Sequence, residues 1–113
     1  MIIWHNPKCS KSREALKLLE EKGEAFETVK YLESVPSREE IVKLLGMLGI
    51  GARELMRTKE DLYKELGLAL VNDEERLIDA LCEHPKLIER PIVIDGNKAI
   101  IGRPAEKVIE FLA

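Results

Sequence analysis

The sequence predicts an α/β fold in which a block of helices interrupts a small sheet. Short apolar runs that are typical of strands lie near both ends of the chain, whereas the middle carries helical periodicity. Toward the C-terminal end, two apolar runs flank Asp95-Gly96-Asn97, which is typical of a β-hairpin. The predicted order is therefore β-α-β, a helical insertion over about residues 35–87, and β-β-α, all within one domain spanning residues 1–113.

The first predicted segment is the β-α-β segment. Residues 2–4 form a short apolar run, and Asn6-Pro7 then indicates a loop. A helix is predicted from Ser10 to Gly23, because apolar residues recur at helical spacing and glycine often follows a helix. Residues 25–32 alternate imperfectly between apolar and polar side chains, which favours a second strand.

Four helical segments are predicted in the middle of the chain. Ser37 and Glu40 have the spacing of a capping box at the start of the first, which ends at Gly49. A second segment contains Leu55 and Met56. A third is predicted from Thr58 to Gly67, with Leu62 and Leu66 four residues apart, and a fourth from near Asn72 to Pro85.

The C-terminal part returns to strands and closes with a helix. The strands are predicted within residues 91–94 and 98–101, on either side of the hairpin turn. The last helix is predicted to begin at Pro104, since proline suits the first helical turn. Its buried stripe is expected to contain four apolar residues at helical spacing: Ala105, Val108, Ile109 and Leu112.

Composition and charge restrict the class of function. A chain of 113 residues with 45% apolar residues can bury a core without a disulfide or a metal. The net charge of −3 gives no support for nucleic-acid binding by bulk electrostatics, so any anion site must be local. No apolar run approaches a membrane span, and the first residues lack the pattern of a signal peptide. With only Cys9 and Cys82, we expect a reduced cytoplasmic protein.

The loop around Cys9 is the candidate reactive site. Cys9 lies at the predicted N-terminus of a helix, where unpaired N–H groups and the helix dipole favour a thiolate. Lys8, Lys11 and Arg13 are close in sequence, and His5 lies across the loop as a hydrogen-bond donor or a cation. The same features favour an oxyanion, so we predict a nucleophilic sulfur that attacks the central atom of a bound oxyanion.

Other thiol and metal motifs are disfavoured. Cys9-Ser10-Lys11-Ser12 is Cys-x-x-Ser, so this loop cannot close its own disulfide, and Ala15 occupies the position of a tyrosine-phosphatase arginine. Cys82 lies beside a predicted apolar stripe and is interpreted as a structural residue. A zinc site is not expected, because the candidate ligands lack zinc-finger spacing: His5, Cys9, Cys82 and His84.

Three arginines have settings that suit anion binding. Arg57 ends the run "ARELMR", Arg90 precedes Pro91 at the start of a strand, and Arg103 precedes Pro104. A planar guanidinium binds multi-oxygen anions well, and residues at a sheet end often form the sites of α/β proteins. An X-Pro bond entering a strand can be cis, which we expect for Pro91.

Four separated motifs carry a resemblance to a known family. "HNPKCSKSR", "ELMRTKEDLYKELGL", "ERPIVI" and "IGRPAE" resemble, in order, the motifs of the glutaredoxin-coupled arsenate reductase (ArsC-like) family. The resemblance implies a thioredoxin-like mixed sheet of about four strands with a helical insertion. Well-studied members carry Gly-Thr after the cysteine, whereas this chain has Ser10-Lys11 and ends at Ala113. We expect these two features in a short sub-branch of the family.

The resemblance also implies roles for individual residues. Cys9 matches the nucleophile, and Lys11 adds a charge beside it. Arg57, Arg90 and Arg103 match the three oxyanion-binding arginines. His5 and Ser12 match loop residues that help hold the thiolate, and Pro91 matches the cis-proline. The implied reaction needs no bound cofactor. The Cys9 thiolate attacks arsenate, glutathione attacks the adduct as co-substrate, glutaredoxin completes the reduction, and arsenite is released.

Two alternatives to arsenate reduction remain open. One is a glutathione-dependent thiol oxidoreductase that acts on another substrate. The other is a non-enzymatic regulator resembling the Spx-type transcription factors, which share this fold and bind RNA polymerase. Those regulators commonly carry Cys-x-x-Cys, whereas this chain has Ser12 at the second position.

Overall fold

A computed structural model of the protein describes residues 1–23, 25–103 and 106–112. The chain divides into two compact units, one made of Met1–Ser34 and Arg90–Ala113 and the other of Val35–Glu89. The described residues contain six α-helices: α1 (Ser10–Glu21), α2 (Arg38–Leu48), α3 (Ala52–Leu55), α4 (Asp61–Glu65), α5 (Glu74–Glu83) and α6 (Glu106–Leu112). Two short 3₁₀ turns cover Leu68–Leu70 and Pro85–Leu87.

The first unit is built on a four-stranded mixed sheet. Its strands are β1 (Ile2–Trp4), β2 (Glu27–Val29), β3 (Ile92–Asp95) and β4 (Lys98–Ile101), in the order β2-β1-β3-β4. β1 pairs with β2 in parallel, whereas the β1–β3 and β3–β4 pairs are antiparallel. The predicted α/β class, the mixed sheet and the order of elements are confirmed.

The second strand is shorter than the sequence predicted. It ends at Val29, and the chain enters a turn at Tyr31 instead of continuing the strand to residue 32. The backbone N–H groups of Glu33 and Ser34 both donate to the carbonyl oxygen of Lys30, each at 2.9 Å. A local turn therefore satisfies these backbone groups without a ladder partner.

The core of the first unit lies on one face of the sheet. Ile3 and Val93 are directly opposite each other in the β1–β3 ladder, and both are fully buried. Ala15 and Leu19 of α1 and Val108 of α6 pack against them in one cluster. Because paired residues on neighbouring strands point to the same face, both helices cover that face.

The last helix agrees only in part with the sequence prediction. Val108 is fully buried, and Phe111 packs at the edge of the same cluster. Ile109 is 38% exposed, so its predicted place in the buried stripe is wrong. The buried positions instead follow the i, i+3 spacing of a single narrow face. Pro104, Ala105 and the side chain of Leu112, the other predicted members of this segment, lie outside the described residues.

Gly102 allows β4, α1 and α6 to approach closely. A Cβ atom at this position would lie 3.0 Å from Cγ2 of Val108 and 3.1 Å from Cγ of Pro91. The Gly102 N–H donates to the carbonyl oxygen of Pro91 at 2.9 Å, and the Arg90–Pro91 peptide bond is cis, as expected from the sequence. Glycine is therefore required here by space, with no positive φ involved.

The second unit is helical, and its first helix has the predicted ends. Ser37 accepts a hydrogen bond from the Glu40 N–H at 3.2 Å, and the Glu40 carboxylate accepts from the Ser37 N–H at 3.1 Å. This is the capping box that the spacing predicted. Gly49 ends α2 in the left-handed region, with φ of 67°.

The predicted third helical segment is wrong at its start. α4 begins at Asp61, not at Thr58, and Glu60 occupies its N-cap position. Leu66, counted in the sequence as part of the apolar repeat, is 41% exposed, whereas Tyr63 is buried. The leucine spacing therefore misidentified the buried face of this short helix. None of the helices in the described ranges combines the length and apolar character needed to cross a membrane.

Candidate active site

The loop between β1 and α1 is fixed by its own backbone. Cys9 occupies the N-cap position of α1 with extended backbone angles, and its N–H donates to the carbonyl oxygen of Asn6 at 3.0 Å. The Asn6 side-chain oxygen accepts from the Lys8 N–H at 3.0 Å, and the Arg13 guanidinium donates to the Pro7 carbonyl at 3.1 Å. These bonds hold the cysteine at the helix N-terminus, as the sequence predicted.

A buried polar network closes the loop from the inside. Oγ of Ser12, which is fully buried, lies 2.7 Å from Nδ1 of His5 and accepts the Asn6 N–H at 3.0 Å. His5 itself is 5% exposed, and its backbone N–H donates to the Val29 carbonyl oxygen at 2.8 Å. The Ser12 hydroxyl can donate to one partner and accept from two, so it satisfies both the Asn6 N–H and Nδ1 of His5, with the direction of the His5 bond set by the tautomer of the ring.

The electrostatic setting favours a neutral His5. Burial lowers the pKa of the imidazole, and the positive charges of Lys30 and Arg13 lower it further. The sequence left two interpretations of His5, a donor or a cation. The cation is disfavoured, because all three influences oppose a proton on the ring. His5 therefore contributes structure to the loop more than positive charge.

The Cys9 thiol is shifted toward the thiolate. Burial raises the pKa of the thiol. Three groups lower it: the Ser12 backbone N–H, the Arg90 guanidinium and the Lys11 backbone N–H. The net pKa of Cys9 is below the ordinary value for a thiol. The sulfur makes no capping hydrogen bond of standard geometry. The two N–H groups therefore act as oriented dipoles at the start of α1, which is the helix-terminus effect expected from the sequence.

Arg90 is the cation that the fold brings to Cys9. It immediately precedes the cis peptide bond to Pro91 at the start of β3, and its side chain is within hydrogen-bonding reach of the Cys9 sulfur. Burial lowers the pKa of the guanidinium, but Cys9 and then Tyr31 raise it, with a net upward shift. Its Nε–H is buried and makes no hydrogen bond with the described residues.

Tyr31 is a residue of this site that sequence reasoning missed. It is 1% exposed, and its side chain interacts with the Arg90 guanidinium. The sequence placed Tyr31 in a strand and gave it no role. The available signal was a tyrosine at a strand end, because a buried tyrosine hydroxyl usually has a polar partner.

The other predicted cations have different settings. Lys11 is exposed, with Nζ 4.0 Å from the Glu14 carboxylate, and acts on Cys9 through its backbone N–H. Arg103 follows β4, is half-buried, and donates its backbone N–H to the Ile101 carbonyl oxygen at 2.9 Å. Neither observation tests the anion-binding role that the resemblance implies.

Arg57 belongs to the second unit and has a carboxylate partner there. One guanidinium nitrogen lies 2.7 Å from Oε2 of Glu60, whose other oxygen lies 3.2 Å from Nζ of Lys86. The Glu60 side chain is only 16% exposed. Arg57 is thus held in one orientation by a shared carboxylate, and its role in anion binding stays a prediction.

Cys82 has the character of a structural thiol. It lies in α5 and is free, and burial raises its pKa above the ordinary value. A raised pKa disfavours the nucleophilic thiolate. Within the described ranges, no group of three histidine, cysteine, aspartate or glutamate side chains is arranged to hold a metal ion.

Comparison with known proteins decides the family. The model of the ArsC family matches residues 4–111. The chain belongs to the ArsC family. The ArsC fold is thioredoxin-like, in agreement with the mixed sheet described above, so both the resemblance and the fold prediction are confirmed. The assignment to a short sub-branch with Cys-Ser-Lys-Ser at the loop stays a prediction.

Several ArsC relatives match over nearly the whole chain. The protein named arsenate reductase of Neisseria meningitidis serogroup A is 53% identical over 108 residues, covering 94% of this chain and 92% of the relative. The uncharacterized protein YfgD of Escherichia coli is 55% identical over 112 residues, covering 97% and 94%. The structure of the arsenate reductase from Vibrio cholerae superimposes with a TM-score of 0.93 at 53% identity, covering 96% of this chain and 94% of that one.

Proposed function

We propose that the protein is an arsenate reductase that uses glutathione and glutaredoxin, with Cys9 as nucleophile. The observation that carries the proposal is the pairing of a Cys9 thiol of lowered pKa with the Arg90 guanidinium at the N-terminus of α1. The names of the relatives support the substrate class. The buried and unpaired Arg90 Nε–H supports oxyanion binding beside the sulfur.

The chemistry follows from thiols acting on a bound oxyanion. The Cys9 thiolate attacks arsenic, a bond forms between sulfur and arsenic, and one arsenate oxygen leaves as water after protonation. Glutathione then attacks arsenic, a second oxygen leaves as water, and a second S–As bond forms. The glutaredoxin thiolate attacks the glutathione sulfur, a mixed disulfide forms, and the electron pair of that S–As bond stays on arsenic. Water finally displaces the Cys9 sulfur, which releases arsenite and restores the thiol. Arsenic gains two electrons, and two thiols are oxidised to one disulfide. Arg90, and in their proposed role Arg57 and Arg103, offset the charge that accumulates as a negative sulfur approaches an anion.

Arsenite formation tests the proposal directly. Purified protein with glutathione, glutaredoxin and arsenate should release arsenite, and Cys9→Ser should abolish the release because serine is a much poorer nucleophile at neutral pH. Cys82→Ser is the matched control and should retain activity, since Cys82 lies in α5 with a raised pKa. Arsenite formation no faster than in a protein-free blank, with the Cys9 thiol intact, would refute the proposal.

The three arginines have a separate test. Arg57→Gln, Arg90→Gln and Arg103→Gln should each raise the KM for arsenate by about tenfold, which corresponds to one lost charge-assisted hydrogen bond. Arg76→Gln is a suitable control, because Arg76 is 78% exposed and its one ion pair among the described residues is a 3.8 Å contact with Asp73. Unchanged KM values for any of the three would remove that arginine from the proposed anion site.

Two other outcomes separate the alternative functions. Turnover of a mixed disulfide with glutathione, without any oxyanion, would favour a thiol oxidoreductase. Capture of RNA polymerase subunits would favour a regulator. The Spx-like alternative receives little support, because the Ser12 hydroxyl is buried in a hydrogen-bond network where the second thiol of a redox switch would lie.

A further inference from the structure

A cleft of about 230 Å³ lies beside the reactive loop in the first unit. One wall is the loop itself, from His5 through Lys8, and the other wall is the turn that follows β2. Lys8 immediately precedes Cys9 in the chain. The lining of the cleft therefore reaches, along the loop, to the residue before the reactive cysteine.

Three charged side chains line this cleft without neutralising one another. Lys8 and Lys30 contribute positive charges, Glu33 contributes one negative charge, and all three are exposed. None of them forms an ion pair with a described residue within 4.0 Å. Leu32, which is 41% exposed, supplies an apolar surface between them. The cleft thus offers two cations, one anion and an apolar contact.

We propose that this cleft, through Lys8, Lys30 and Glu33, binds glutathione beside Cys9. Reduced glutathione carries two carboxylates and one ammonium group, which is the charge pattern complementary to the cleft. The lysines hold the carboxylates, Glu33 holds the ammonium, and Leu32 contacts the cysteine methylene. This inference rests on the proposed function for the identity of the thiol, whereas Lys30, Leu32 and Glu33, on the wall that follows β2, lie outside the four family motifs.

Thiol–disulfide exchange tests the cleft without arsenate. The Cys9 thiolate attacks one sulfur of glutathione disulfide, a Cys9–glutathione disulfide forms, the original S–S bond breaks, and one glutathione thiolate leaves. The second-order rate is measured by mass spectrometry. Lys30→Glu should slow this exchange by about tenfold and Lys30→Gln by about two- to fivefold, the range of one exposed ion pair.

Two controls separate glutathione binding from general effects on the thiolate. Lys17→Glu makes the same change in net charge on an exposed position of α1 that does not line the cleft, and it should leave the rate unchanged. The neutral 2-hydroxyethyl disulfide should react with wild type and Lys30→Glu at the same rate. An equal slowing with the neutral disulfide would overturn the proposal, since Lys30 would then act on the site itself.

Glu33 gives an independent readout through the ammonium group. Glu33→Gln should slow exchange with glutathione disulfide by about two- to fivefold, and the difference from wild type should vanish when the amino groups of the disulfide are acetylated. A difference that persists with the acetylated disulfide would contradict the assigned contact.

The arsenate assay distinguishes failure of the cleft from failure of the proposed function. If no arsenite forms but exchange keeps its dependence on Lys30 and Glu33, the substrate assignment is wrong and the cleft stands. If arsenite forms and the KM for glutathione is the same in wild type, Lys30→Glu and Glu33→Gln, the cleft is overturned and arsenate reduction stands.

Discussion

Nδ1 of His5 lies 2.7 Å from Oγ of Ser12, and this contact joins the end of β1 to the first turn of α1. The same Ser12 oxygen accepts the Asn6 N–H at 3.0 Å. Ser12 thus acts on the thiol in two ways. Its hydroxyl fixes the loop that carries Cys9, while its backbone N–H lowers the pKa of the thiol, against the opposing effect of burial.

Ser12→Ala should destabilise the protein, whereas Ser10→Ala should not. The first change leaves the Asn6 N–H and the His5 ring nitrogen without their partner, at a cost of about 1–3 kcal/mol in the free energy of unfolding. Ser10 is exposed on the same helical turn and is the matched control. Denaturant unfolding measures the difference, and equal midpoints for the two variants would contradict the bracing role of Ser12.

Arg90→Gln should make Cys9 less reactive at neutral pH. Wild-type Cys9 should alkylate with a midpoint below about 8.5, the ordinary thiol pKa, because the net shift is downward. Removal of the guanidinium should raise that midpoint and slow alkylation at pH 7 several-fold. The measurement is the iodoacetamide rate against pH, with Arg76→Gln as control. A wild-type midpoint at or above the ordinary value would refute this prediction.

Arsenate should protect Cys9 from alkylation, and Arg90→Gln should weaken the protection several-fold. An oxyanion held at the buried Arg90 Nε–H would lie beside the sulfur and block the reagent. The readout is the alkylation rate with increasing arsenate at constant ionic strength, with chloride as control. Equal rates in arsenate and chloride would mean that the anion does not bind beside Cys9.

Tyr31→Phe should act through Arg90 and not through the substrate. Burial lowers the pKa of the Arg90 guanidinium, Cys9 raises it, and Tyr31 raises it by a smaller amount. The Tyr31 side chain therefore interacts with the guanidinium and positions it. We expect a higher alkylation midpoint for Cys9 in this variant, in the same direction as Arg90→Gln but smaller. The double variant should match Arg90→Gln alone; independent, additive effects would exclude positioning by Tyr31.

The pKa of His5 should lie below the ordinary imidazole value of 6.5. Its pKa in the folded protein lies below the ordinary 6.5, so the native state binds fewer protons than the unfolded state between these two values. The contribution of His5 to stability is therefore complete above about pH 6.5 and decreases as pH falls through the folded pKa. NMR titration of the ring nitrogens measures this, and Lys30→Gln should raise the pKa. A native pKa at or above 6.5 would contradict the burial argument.

The sequence alone predicted the features that are encoded locally. The strand, the loop and the start of α1 around Cys9 follow from a few neighbouring residues, as do the Ser37–Glu40 capping box and the hairpin at Gly96, where φ is 61°. These elements depend on backbone conformation and on hydrogen bonds across only a few residues. The four motifs then indicated the family that the comparisons confirmed.

Tertiary structure decided the features that depend on distant residues. Tyr31 and Arg90 are 59 positions apart in the numbering, and only the fold brings both side chains together at Cys9. The exposure of Ile109, the end of β2 at Val29 and the space restriction at Gly102 likewise depend on which surface packs against each element. Sequence periodicity assigns a face to each helix, but burial and pKa are set by neighbours that periodicity does not identify.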